Sequence, residues 1–164
     1  MRIVLLSCLY TYVACAQRAN DSPAAGAPAA FVREMLAAHN RLRARVGVPP
    51  LVWSQQLAGL AQKWADTLIE SGAFHPRGDH RFGENLFEVA GRPATPEEAV
   101  NTWASEARNY DYEANSCSAR CGHYEQVVWR DTKSVGCGVA RDNRREIWVC
   151  NYDPLGNLNG ERPY

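Results

Sequence analysis

"VGCGVARDNRREIWVCN", residues 135–151, decides the fold. Two strand-like runs, 135–141 and 146–151, flank the polar group Asp142-Asn143-Arg144-Arg145. That group reads as the turn of a hairpin, with Asn143 tolerating the positive φ a tight turn needs. Folding the chain about Asn143-Arg144 sets Arg141 opposite Glu146, Val139 opposite Trp148 and Cys137 opposite Cys150. A single register gives an opposite-charge pair, an apolar pair and a cystine pair. It predicts a Cys137–Cys150 disulfide across two strands. Cys117 and Cys121 then close a small loop just before His123, which fixes the loop's shape more than it adds stability.

Helices precede the hairpin. Phe31, Met35, Leu42 and Val46 recur at helical spacing and Gly47 stops the run. His39 shares this stripe and reads as a core or capping histidine. Leu57, Leu60, Trp64 and Leu68 form a second stripe, closed by Gly72. The third helix opens with Thr95 as N-cap, Pro96 in the first turn and Glu98 completing a capping box. Ala99, Trp103, Ala107 and Tyr110 make its apolar face, and Glu106 falls about 60° from the centre of that face. Taken from the helix alone, Glu106 snorkels to water. A short helix follows His123 through Val127 and Val128.

The 164 residues suffice for one domain with a core. The 18 basic and 18 acidic side chains leave no basic excess for nucleic acid. No apolar run is long enough for a transmembrane segment. Residues 1–16 read as a signal peptide: Met1-Arg2, an apolar run to Ala14, then Ala14-Cys15-Ala16 as a cleavage pattern. A buried first strand is the alternative for that segment, and lipid anchoring at Cys15 is a minority reading. Residues 17–30 read as a flexible linker rich in Ala, Pro, Gly and Ser. The domain spans 31–164. Cleavage leaves Cys117, Cys121, Cys137 and Cys150, an even set suited to export as two disulfides.

From about Phe31 to Tyr164 the chain resembles the CAP superfamily: cysteine-rich secretory proteins, antigen 5 and pathogenesis-related proteins. The pathogenesis-related protein 1 group and its bacterial relatives are the nearest likeness. The resemblance is carried by "AAHNRLRARVGVPPLVW", "FGENLF", "CGHYEQVVWRDTKSVGCG" and "WVCNYDPLGNLNGERPY". It implies an α+β fold, a three-layer α-β-α sandwich with a small, mainly antiparallel sheet between helices. It also implies a cleft lined by His75, Glu84, Glu106 and His123, so that Glu106 turns inward.

Two readings of that quartet stand side by side. In one, His75 and His123 offer neutral imidazole nitrogens to Zn2+ or another divalent ion, and the carboxylates stabilise the ion or a bound water. In the other, the four form a polar network without metal. His80 and Asp79 match no family position and read as a solvated loop. Two departures stand out. The family's third disulfide would fall at Ser71 and Asp142, and Glu125 replaces the usual threonine or serine.

Three functions are open: a secreted binding module for a divalent ion, a sterol or other lipid, or an extracellular protein, in a defence or interaction role; a metal-dependent hydrolase or protease with Glu84 and Glu106 as candidate catalytic groups; or the precursor of a signalling peptide, "PLGNLNGERPY", residues 154–164. No G-x-S-x-G or H-E-x-x-H motif supports catalysis, so the sequence ranks the binding module first. It also favours a tail that packs back on the sheet.

Overall fold

A computed structural model describes residues 27–164. Residues 1–26, with the expected signal peptide, Cys15 and most of the expected linker, lie outside the described residues. Helix α1, Ala29–Arg45, begins two residues before Phe31 and runs to the expected stop at Gly47. Strand β1, Val52–Trp53, leads into α2, Gln55–Ser71, where the Ser54 side chain accepts from the Leu57 N–H and Gly72 ends the helix at φ 72°. Then follow β2, Gly83–Ala90, and α3, Pro96–Ala104. After a 3-10 turn, Ser105–Asn109, come the short pair β3, Tyr110–Asp111, and β4, Ser116–Cys117. Helix α4, Gly122–Val128, precedes the hairpin β5, Ser134–Arg141, and β6, Arg145–Asp153.

The main sheet has the order β1-β5-β6-β2, antiparallel except for β1 against β5. The hairpin register is as expected: Cys137 faces Cys150, Val139 faces Trp148 and Arg141 faces Glu146. The turn differs in its chemistry. Asn143 has no positive φ. Instead the Asp142 carboxylate accepts the N–H groups of Arg144 and Arg145 at 2.7 and 2.8 Å, which also holds its pKa down. Both bridges form, Cys137–Cys150 and Cys117–Cys121.

Alternation along β6 builds the three layers. Trp148, Cys150 and Tyr152 face α1, α3 and α4, while Ile147 and Val149 face α2. Helix α2 approaches the sheet closely because its buried face is small, Ala58, Ala61 and Ala65, and because β5 offers Gly136 and Gly138 there. A Cβ on Gly138 would lie 2.4 Å from the Gln62 Cα.

Local expectations met three corrections. The third helix stops at Ala104, because the backbone tightens to 3-10, and Ala107 is exposed. Only half of the capping box forms: Thr95 caps the Glu98 N–H at 3.1 Å, but the Glu98 carboxylate turns to Arg92. The tail packs mainly on α4 and the β3–β4 turn rather than the sheet. Gly156 N–H donates to Gln126 at 2.9 Å, Pro163 accepts from Arg130 N–H at 2.6 Å, and Tyr164 stacks on Tyr112.

Helix α4 is too short to persist alone. It is held at both ends by opposite charges that match its dipole. At its start the Glu106 carboxylate accepts the N–H groups of His123 at 2.9 Å and Tyr124 at 3.4 Å. At its end the fully buried Arg43 donates to the carbonyls of Val127 at 3.0 Å and Trp129 at 2.8 Å. The same guanidinium reaches Thr132 at 3.0 Å and Pro49 at 2.7 Å.

Candidate functional site

His75, Glu84 and His123 line one open cleft of about 530 Å³, together with Phe74, Leu86 and Arg120. Three separate elements bring them there. His75 follows the Gly72 stop of α2, and Trp64 of that helix clamps it. The Trp64 indole N–H donates to the His75 carbonyl at 3.3 Å, and the two rings meet edge to face at 5.4 Å. Glu84 is the second residue of β2. His123 lies in the first turn of α4, directly after Cys121 and Gly122.

The two histidines share a hydrogen-bonding pattern. His75 Nδ1 is 2.9 Å from the Pro76 carbonyl, which can only accept, so Nδ1 carries the proton. His123 Nδ1 is 2.8 Å from Glu106 Oε1, while Glu106 Oε2 takes two backbone N–H groups. A carboxylate so placed is an acceptor, and Nδ1 of His123 is its donor. In each neutral ring Nε2 is then the lone-pair nitrogen. Glu106 therefore stands behind His123 as its orienting partner and is not on the cleft wall.

Glu84 is placed differently. Its Oε1 accepts the Arg77 N–H at 2.8 Å, and its Oε2 is buried without a hydrogen-bond partner. Burial pushes its pKa up, partly countered by the Arg77 N–H and charge. Glu84 also borders a second hollow of about 290 Å³ lined by Arg77, Asp79 and His80. His80 is exposed there, as a solvated loop residue should be, and Arg77 Nε pairs with Asp79 at 3.2 Å without hydrogen-bond alignment. The quartet is spread more widely than a closed coordination shell. Among the described residues, the only set of three His, Cys, Asp or Glu ligand atoms within 4.8 Å of one another is Cys117, Cys121 and Glu125.

A buried chain of side chains supports the cleft from below. His39 is fully buried and donates or accepts within the core, as expected for a core histidine: Nδ1 to the Met35 carbonyl at 2.8 Å, Nε2 to the Tyr152 hydroxyl at 2.9 Å. Burial drives its pKa down to about 4. Asn85 Nδ2 bonds both the Tyr152 hydroxyl at 3.3 Å and the His123 carbonyl at 3.1 Å. Trp64, Asn85, Arg120 and Asn157 are the site residues that the sequence reading missed. Trp64 was visible on the second helical stripe, but nothing marked its ring as a clamp for His75. Asn157 belongs to the tail, lines the cleft, and donates to the Gly122 carbonyl at 2.9 Å.

Comparison with known proteins agrees with this architecture. The family model "Cysteine-rich secretory protein family" (CAP) matches residues 36–152. Pathogenesis-related protein 1A of Nicotiana tabacum is 44% identical over 136 residues, covering 80% of each chain. The structure of venom allergen-like protein 4 of Schistosoma mansoni superposes with a TM-score of 0.66 at 30% identity, covering 82% of this chain and 93% of that one. A structure solved as NaASP2 with Zn2+ gives a TM-score of 0.70 at 22% identity, covering 87% and 88%, a likeness of fold.

Proposed function

The chain belongs to the cysteine-rich secretory protein (CAP) family, and on that premise we propose that it is an extracellular ligand-binding module whose cleft takes a divalent cation through Nε2 of His75 and of His123. One observation carries the reading: both rings have Nδ1 engaged as a donor, which leaves Nε2 as the nitrogen a metal needs. Glu106 would fix the His123 ring and raise its basicity from behind, as carboxylates do behind metal-bound imidazoles. The unpartnered Glu84 oxygen supplies a hard donor at the same wall. The donor set thus fits zinc or a similar ion at an open site, and the bound ion would supply Lewis-acid charge to an anionic or carbonyl group of a ligand. NaASP2, which shares the fold, was solved with Zn2+. The two disulfides and the family's secretory character support the extracellular setting. No helix among the described residues is long and apolar enough to cross a membrane.

Binding ranks above hydrolysis for a structural reason. Both Glu106 oxygens are occupied by His123 and the start of α4, so of the two candidate bases only Glu84 is left. The peptide-precursor reading ranks third, because the tail is tied down by Gln126, Arg130 and Asn115. The function is tested by calorimetric zinc titration of the wild type, H75A and H123A. Affinity should fall at least about tenfold in each variant. Unchanged affinity in either removes that histidine from the site. A peptidase assay with E84Q separates hydrolase from binder: zinc-dependent activity lost in E84Q, with fold intact, would reverse the ranking.

A further inference from the structure

We propose that Cys117, Cys121 and Glu125 form a redox-gated metal site: shut as a disulfide, and after two-electron reduction a two-thiolate, one-carboxylate site for zinc or a similar divalent ion. The site is separate from the cleft and does not depend on the cleft reading.

Glu125 Oε2 lies 3.2 Å from Cys121 Sγ and 3.8 Å from Cys117 Sγ. While the bridge is closed neither sulfur carries a hydrogen, so this oxygen gains no hydrogen bond from either. Reduction changes that, because each thiol can then donate to the carboxylate. The placement follows from the fold. Cys121 is the N-cap residue of α4 and its carbonyl accepts the Glu125 N–H at 3.0 Å, which keeps the two side chains at the start of the helix, and Cys117 arrives from β4. All three ligand atoms lie within 4.8 Å of one another. Two thiolates and a carboxylate suit zinc, and the exposed Cys117 side leaves room for water as a fourth ligand.

The two bridges differ in access. Cys137 and Cys150 are 1% and 0% exposed, in the core, whereas in the other bridge Cys121 is buried and Cys117 is exposed, so that bridge is open to solvent from the Cys117 side. The Cys117–Cys121 ring spans a sequence separation of only 4, so its loop-closure contribution is small. An external dithiol of the thioredoxin class supplies two electrons and two protons. One S–S bond breaks here, two thiols form, and the donor becomes a disulfide. Metal uptake then forms two metal–thiolate bonds and releases the two thiol protons to water.

The test uses the folded domain, reduced with a phosphine, with the state of each cysteine mapped by alkylation and mass measurement. Cobalt(II) alone is the probe, because a thiolate-to-metal charge-transfer band distinguishes sulfur ligation from histidine ligation. The reduced wild type should take up cobalt with that band, zinc should displace it, and the oxidised protein should show none. H123A should keep the band, C117S/C121S should lack it, and E125Q should weaken the affinity about tenfold or more. The proposal is overturned by three results: no band in protein carrying free thiols at both positions with Cys137–Cys150 intact, equal affinity in E125Q, or a bridge that opens only together with Cys137–Cys150.

Discussion

Replacing Arg43 by methionine should loosen the helix that carries His123. The side chain is fully buried, and methionine keeps most of the apolar stem. What is lost is a set of donors to four carbonyls at 2.7 to 3.0 Å, those of Pro49, Val127, Trp129 and Thr132. Each orphaned acceptor costs about 1–2 kcal/mol, so the gross loss is about 6 kcal/mol. Removing the charge gives some of this back. Burial lowers the Arg43 pKa from 12.5 to about 10, which corresponds to roughly 3 kcal/mol of opposing desolvation. The net expectation is about 3 kcal/mol, or a melting temperature lower by about 10 °C. Lysine restores the charge but not the fork, so R43K should remain at least about 1 kcal/mol below wild type. Urea unfolding of the three proteins measures the loss, and amide exchange locates it, with α4 opening before α2. If R43M loses less than about 1 kcal/mol, or if α2 and α4 open together in it, the guanidinium does not hold α4.

Two further outcomes follow from the supporting groups. His39 is neutral in the fold with a pKa of about 4, below the ordinary 6.5, so its contribution is complete above pH 6.5 and is lost as pH falls toward 4. The wild type should lose about 3 kcal/mol more than H39Q over that window, and parallel urea-stability curves for the two would contradict this. E106Q should cost about 1–3 kcal/mol of stability and lower zinc affinity by about 10- to 100-fold without removing a direct ligand; calorimetry that finds wild-type affinity in E106Q would show that the carboxylate does not orient the ring.

The hairpin was legible because three independent pairings, charge, apolar and cystine, coincide in one register, and a one-residue slip breaks all three. The α+β sandwich was implied by the resemblance to the family, and the hairpin and helical stripes agree with it. Glu106 could not be placed from its own helix. Its partners are the backbone and ring of His123, seventeen residues on, and the 3-10 tightening at Ser105 changes the direction in which its side chain leaves the helix. Arg43 was hidden for a similar reason: Arg41 and Arg45 flank it, and the sequence does not distinguish the one arginine whose helix face meets the end of α4. The Glu98 box half-failed because Arg92, distant in pattern but close in space, competes for the carboxylate. Periodicity and capping signals describe one element at a time; the cleft is assembled between elements.

The central claim, that both cleft histidines present a bare Nε2, is tested most directly by nitrogen-15 shifts of the imidazole rings at neutral pH, with and without zinc. The account predicts Nδ1–H tautomers for His75 and His123 before metal, and zinc shifts at Nε2 of both rings while His39 stays unchanged. An Nε2–H tautomer at His123, or zinc shifts that bypass either ring, would contradict it.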